Sequence, residues 1–164
     1  MTLTSTRAKA DDALWSLRRV DVRRIEAEET HAIRRQILRP HQPIDLMRWA
    51  YDQDPDTVHF GAFDQGRLVG VGTLTREPPP GSPDARAWRL RGMATLPEVR
   101  GRGFGAAIVR AALAHARAQG ASVLWFNART PAVPFYEKLG FARHGAEFHL
   151  PDAGPHYFMD ASIS

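Results

Sequence analysis

The segment Arg100-Gly101-Arg102-Gly103-Phe104-Gly105 has the residue types and spacing of a phosphate-binding turn at a helix N-terminus. Glycines on alternate positions let the backbone approach a ligand closely and adopt conformations that a side chain forbids. A helix starting there leaves backbone N–H groups unpaired and directs the positive end of its dipole at them. An anion in that position collects several charge-assisted hydrogen bonds, and Arg100 and Arg102 add positive charge beside it. A tight strand-to-helix turn without a ligand is the alternative. The spacing is not Gly-x-Gly-x-x-Gly, so the dinucleotide fingerprint is absent. No Gly-Lys-Ser/Thr follows, which leaves a nucleoside-triphosphate loop unsupported.

The flanking residues extend the pattern: Leu90-Arg91-Gly92-Met93-Ala94-Thr95-Leu96-Pro97 before the turn, Leu124-Trp125-Phe126-Asn127-Ala128 and Phe135-Tyr136-Glu137-Lys138-Leu139-Gly140-Phe141 after it. Arg100-x-x-Gly103-x-Gly105 resembles the Arg/Gln-x-x-Gly-x-Gly/Ala signature of the GNAT superfamily of N-acetyltransferases. The resemblance covers about residues 15–160 in element order and is specific from Trp88 to Met159. The closing Gly154-Pro155-His156-Tyr157-Phe158-Met159 is similar to a subgroup of small bacterial proteins that includes ElaA-like acyltransferases. The resemblance implies acetyl-CoA as cosubstrate, its pyrophosphate on the backbone of Arg100, Gly101, Arg102, Gly103, Phe104, Gly105 and Ala106. The pantetheine arm is then expected beside Met93, Ala94 and Thr95, where the family's fourth and fifth strands splay apart. Unpaired strand N–H and C=O groups there need partners.

Acetyl transfer to an amine requires a neutral amine, a stabilised oxyanion and a proton for the departing thiolate. An alkylammonium has a pKa near ~10.4, so a proton must leave first. A phenol suits the thiolate, its pKa of ~10 lying close to that of a thiol. Tyr136 matches the tyrosine that supplies this proton in many relatives; packing beside Phe135 and Phe141 is the alternative, and Phe135 reads as the core residue. Asn127 matches a position that contacts pantetheine, with a strand-end cap as the other option. The backbone N–H of Met93 or Ala94 is the expected oxyanion donor. Where some relatives carry a glutamate early in the fourth strand, this chain has Arg89, and an arginine accepts no proton at working pH. His156 is the first choice of base, ahead of Glu147, His59 or a water chain, and a structural role for it stays open. No His-Glu-x-x-His spacing occurs among the seven histidines, so no metal is expected.

The elements that must position these residues follow from periodicity and punctuation. Trp15–Val20 reads as a strand, and 22–38 as a helix with Ile25, Ala32, Ile33 and Ile37 at helical spacing before Pro40. A polar connection, 41–56, carries a helical turn near Leu46–Tyr51. Strands at 57–63 and 67–75 flank an Asp64-Gln65-Gly66 turn. The Pro78–Pro83 loop cannot pair in a sheet. A strand at 87–95, a helix at 104–119 closed by Gly120, a strand at 122–128, a short helix ending near Leu139-Gly140 and strands at 144–150 and 156–160 complete the order. The expected fold is α+β (mixed α/β): one mostly antiparallel sheet with helices on both faces and splayed fourth and fifth strands. Residues 1–13 are expected to be a flexible lead-in to a single domain over 14–164.

Composition bounds the rest. With 164 residues, 43% hydrophobic and 24% charged, the chain can bury one core. Zero cysteines remove disulfides and thiolate chemistry and are compatible with a reducing cytoplasm. No 18-residue apolar run predicts a membrane span, and Met1–Asp12 lacks a secretory core. The net charge of +4 comes from dispersed arginines interleaved with acids and from no recognised nucleic-acid motif. Arg89 and Arg91 share one strand face, where they either meet an acidic acceptor or are solvated; Arg34, Arg35 and Arg39 read as a charged helix face. An N-acetyltransferase acting on a small-molecule or peptide amine, possible as a homodimer, is therefore the expectation. An acyl-CoA sensor without turnover stands as the alternative, and a nucleic-acid module behind it.

Overall fold

The structure, a computed structural model, describes residues 20–163. It builds seven strands into one sheet in the order β1-β2-β3-β4-β5-β7-β6. The strands are β1 (Val20–Ile25), β2 (Val58–Asp64), β3 (Arg67–Arg76), β4 (Ala87–Thr95), β5 (Val123–Arg129), β6 (Ala142–Leu150) and β7 (Gly154–Ser162). Only β4 and β5 run parallel. Gln65 and Gly66, at φ 50° and 82°, close the β2–β3 hairpin as its two loop residues, the conformation that matches strand twist.

Three helices pack on the sheet. α1 spans 27–38 as a 3-10 turn (Ala27–Thr30), an α turn (His31–Ile33) and a π turn (Arg34–Leu38). Its start is fixed by a capping box, with the Glu26 N–H donating to the Glu29 carboxylate at 2.7 Å. α2 (Phe104–Ala118) buries Phe104, Ile108, Val109, Ala112 and Ala116, a single helical stripe. α3 (Val133–Lys138) follows a 3-10 turn, Thr130–Ala132. α2 lies over Gly70 and Gly72 of β3, whereas α1 reaches Thr73 on the opposite face, so helices cover both sides as expected.

The element order and the 87–95 strand agree with the sequence reading, while the N-terminal part differs. Val22–Ile25 is strand, not helix: Val22 pairs with Ala62 and Ile25 with His59, so Ile25 belongs to the strand's apolar end and the helical spacing through it is coincidental. Of the strand expected at Trp15–Val20, only Val20 is among the described residues, and it is the first of β1. Trp15 to Arg19 and the 1–13 lead-in lie outside the described residues. The helical turn expected near 46–51 is a 3-10 turn at Ile44–Met47. Among the described residues no helix is long and apolar enough to cross a membrane.

Arg34, read as part of a charged face, is fully buried. Its guanidinium donates to both Asp52 carboxylate oxygens (2.7 and 3.0 Å), to the Met47 carbonyl (2.9 Å) and to Thr73 Oγ1 (2.8 Å). The Trp49 ring lies 3.8 Å from its centre. Burial pushes the Asp52 carboxyl up, but the Arg34 hydrogen bonds, the Trp49 N–H and the Arg34 charge outweigh it and hold it below the usual carboxylate range. Arg34→Ala leaves that carboxylate buried without its partner and is expected to cost ~3–5 kcal/mol, read by urea denaturation. Because the folded value is depressed, the Asp52 contribution is complete above the unfolded value of ~3.9 and fades as pH falls through the folded one. The stability gap between wild type and Asp52→Asn is expected to narrow below about pH 4.

Candidate functional site

β4 and β5 share three rungs, Ala87–Val123, Trp88–Leu124 and Arg89–Trp125, and then separate. Beyond Arg89 the edge of β4 facing β5 and the edge of β5 facing β4 have no strand partner, an arrangement that demands other hydrogen-bonding groups. A cleft of about 600 Å³ opens in this gap. One wall is β4 from Arg89 to Met93, the other β5 from Phe126 to Arg129, with Tyr136 and His156 also lining it.

A bulge shapes the β4 wall. Arg91 pairs with Thr73 and Ala94 with Val71, so Gly92 and Met93 face one β3 residue, Gly72. Gly92 has φ 59°, a left-handed conformation that side chains disfavour. A Cβ there would meet Trp49 Cζ3 at 2.8 Å. The bulge is therefore closed from behind by Trp49, which Arg34 holds.

After Thr95 the chain makes a 3-10 turn, Pro97–Val99, and enters the glycine segment. Gly101 and Gly103 have φ 79° and 87°, and no atom lies within 4 Å of where their Cβ would stand. Gly103 is the N-cap of α2. The first amide to rejoin the backbone ladder is Ala107, which donates to the Gly103 carbonyl. The N–H groups of Gly103, Phe104, Gly105 and Ala106 are thus free at the helix's positive end. Arg102 pairs with Asp64 at 3.2 Å, and Arg100 Nη2 lies 3.5 Å from the Thr95 carbonyl. This cradle of bare, unpaired amides fits a phosphate group.

Phe135, read from the sequence as the core residue, is the more exposed of the two helix aromatics, and Tyr136 both packs in the core and lines the cleft. Tyr136 is buried among Phe126 and Phe141, while Phe135 is exposed and leans on α2, where a Gly105 Cβ would lie 3.4 Å from its Cζ. A six-residue helix presents successive side chains about 100° apart, so only one of the two can point at the sheet. The Tyr136 hydroxyl has no hydrogen-bond partner among the described residues, and burial pushes its pKa up. It is a protonated phenol at neutral pH, bordering the cleft.

His156 is buried opposite Arg129 in the β5–β7 ladder. Its Nδ1 lies 2.8 Å from the Gly154 carbonyl. A neutral ring donating there leaves Nε2 unprotonated as its acceptor. Asn127 sits within β5 and lines the cleft, with no side-chain bond to backbone, which removes the cap reading. Of the other histidine and acid candidates, His59 is held away from the cleft between Thr73 Oγ1 (2.8 Å) and the Asp52 carbonyl (3.0 Å). Glu147 is exposed and accepts from Thr130 Oγ1.

Arg89 and Arg91 line the cleft as half-buried side chains and share Glu77, with Arg89 at 3.2 Å and Arg91 in a shorter contact. Burial raises the Glu77 carboxyl, but the Arg91 and Arg89 hydrogen bonds and charges prevail and depress it. Arg91 also lies over Tyr51, 3.8 Å from its centroid, and Arg89 over Trp125 at 4.5 Å. The segment 48–51 was missed in the sequence as a polar connection, yet Arg48, Trp49 and Tyr51 line the cleft. Two aromatics in an otherwise polar stretch were the available signal.

Residues 20–141 match the family model "Acetyltransferase (GNAT) family". The chain is 34% identical over 140 residues to the uncharacterised N-acetyltransferase YitI of Bacillus subtilis (strain 168), covering 85% of this chain and 94% of YitI. Among solved structures it is similar to a GCN5-related N-acetyltransferase from Kribbella flavida (TM-score 0.70, 24% identity, 88% and 98% of the two chains). It is likewise similar to an aminoglycoside 6'-N-acetyltransferase complexed with coenzyme A (TM-score 0.65, 14% identity, 88% and 97%).

The bulge generates its own test. Gly92→Ala combines a left-handed φ with a Cβ driven into Trp49, and a loss of ~2–4 kcal/mol is expected in urea denaturation.

Proposed function

Because the chain belongs to the acetyltransferase (GNAT) family, a family of acetyl-CoA-dependent acyltransferases, we propose that it moves an acetyl group from acetyl-CoA to a primary amine by direct attack in a ternary complex. The observation that carries this reading is the pairing of two open stretches of backbone, the edge of β4 beyond Arg89 and the free amides of Gly103 to Ala106 at the start of α2, joined by a turn whose own Val99, Arg100 and Arg102 N–H groups are bonded within it. Arg100 to Ala106 would hold the pyrophosphate, and Met93, Ala94, Thr95 and Asn127 the pantetheine arm. Bound acetyl-CoA supplies the thioester; the chain's residues do the rest.

In this reading the Met93 or Ala94 N–H faces the carbonyl oxygen of the acetyl group and stabilises negative charge there. Nε2 of His156 takes a proton from the incoming ammonium, directly or through water. Tyr136 gives its phenolic proton to the leaving thiolate; burial keeps the phenol protonated until that step and also makes it a weaker acid than a free tyrosine, so its match to the thiol is less close than the residue type alone implies. The depressed carboxyl of Glu77 makes it a poor base, which leaves the histidine better suited.

Tyr136→Phe removes only a hydroxyl without a protein partner, so packing is preserved. It is expected to keep acetyl-CoA affinity by calorimetry and to lower turnover roughly 10–1000-fold; unchanged turnover would take Tyr136 out of the mechanism. Gly103→Val strains a left-handed residue and fills the cradle while touching no neighbour. Coenzyme A should raise the melting temperature of wild type and leave this variant unmoved. An equal shift in both proteins contradicts the phosphate assignment.

A further inference from the structure

Among the described residues the cleft is lined by five arginines, Arg39, Arg48, Arg89, Arg91 and Arg129, and by no aspartate or glutamate. Glu77 occupies Arg89 and Arg91. The other three have no carboxylate within ion-pair distance among the described residues. Arg39 Nη1 and Arg129 Nη2 both donate to the Leu38 carbonyl, at 2.8 and 3.2 Å. Two guanidiniums are thus drawn to one oxygen atom with their like charges side by side. Burial first, and the Arg39 charge second, push the Arg129 pKa down. Each guanidinium has five donors, and one carbonyl leaves most of them unused. Arg129 stands opposite His156 across the β5–β7 ladder, so the crowded pair borders the proposed base.

We infer that the acceptor is a small amine that also carries an anionic group, carboxylate or phosphate, held by Arg39, Arg129 and Arg48 while its amine faces His156. This rests on the acetyl-transfer reading above and names its substrate class. An anion placed between Arg39 and Arg129 relieves their repulsion and accepts bidentate, charge-assisted bonds. The same charges repel polyamines and aminoglycosides, whose cationic groups meet no carboxylate in the cleft. Arg129 and Arg48 act here as acceptor-binding residues on the side of the cleft away from the glycine cradle.

The test pairs amines that differ in the anionic group: glycylglycine with glycylglycinamide, 4-aminobutyrate with 4-aminobutanamide, O-phosphoethanolamine with ethanolamine, and spermidine as polycation. Thiol release from acetyl-CoA by the full chain is expected to give a kcat/KM at least roughly 10-fold higher for anionic members. Whether the carboxylates or the phosphate gain most identifies the anion. Arg129→Gln, and Arg48→Gln at an exposed position that folding does not depend on, should raise KM for the preferred anionic amine roughly 10-fold and leave KM for acetyl-CoA unchanged. Neutral amines or spermidine used equally well overturn the inference, as does an unaltered KM in both variants. Calorimetry of glycylglycine and glycylglycinamide on coenzyme-A-saturated protein gives a readout independent of turnover, and equal or absent binding of the two also overturns it. Failure of coenzyme A to bind at all strikes the acetyl-transfer reading instead, and the same calorimetric pair without coenzyme A then decides the anion preference.

Discussion

The guanidinium of Arg34 is fully buried, and a full charge in such a place is tolerable only when it is paired with an opposite charge and hydrogen-bonded. Four bonds and an aromatic face serve its two Nη groups, Nε alone having no partner among the described residues, and the bonding partners come from two separate stretches of chain. Asp52 and the Met47 carbonyl belong to the long connection after α1, and Thr73 to the middle of β3. That connection has little regular structure of its own. It is held because its buried acid, Asp52, must reach the buried guanidinium of Arg34. Trp49 and Tyr51 come with it, and they form the cleft wall behind β4.

From that anchor the geometry of the site propagates along β4. Trp49 backs the bulge at Gly92, and the bulge turns the strand away from β5 after its third rung. Regular pairing to the end of β4 would have satisfied the backbone and left no room between the strands. The fold instead keeps one edge of the sheet unsatisfied over several residues. Such an edge is tolerated in a folded protein where water or a ligand can reach it. Stability and chemistry are therefore opposed at this place, and the buried ion pair and aromatic wall sit where the ladder is missing.

The parts of this arrangement that were legible in the sequence are those governed by local rules. The glycine turn, the helix after it, the two-residue hairpin and the proline loop each follow from backbone conformations that few residue types allow, and they stand where expected. The splay was expected only through family resemblance, since no single residue forces it. Arg34 could not be read because its burial depends on Asp52, eighteen positions away, and nothing in a helical stripe of arginines marks one of them as core. The misplacing of Phe135 in the core has a similar origin: it and Tyr136 are both aromatic, and the helix phase that chooses which is buried follows from the preceding turn at Thr130–Ala132. The crowding of Arg39 and Arg129 is likewise a property of the tertiary fold, because the two meet at one carbonyl while lying far apart in the sequence.

The three rungs between β4 and β5 also have a mechanical meaning. They are the only ladder joining a four-stranded half, β1 to β4, to a three-stranded half, β5 to β7. The sheet is thus two stiff plates fastened at one end, like the jaws of tongs. Strands rise ~3.3 Å per residue, so Arg129 sits ~13 Å from the last rung at Trp125. A rotation of ~5° about the rungs displaces that end by ~1 Å, on the scale of the misplacement that costs a reaction about 100-fold. The distance between the two jaws is therefore set by what packs across both plates, with α2 gripping the first and α3 the second. The Phe135 ring resting on α2 is the spacer between those grips.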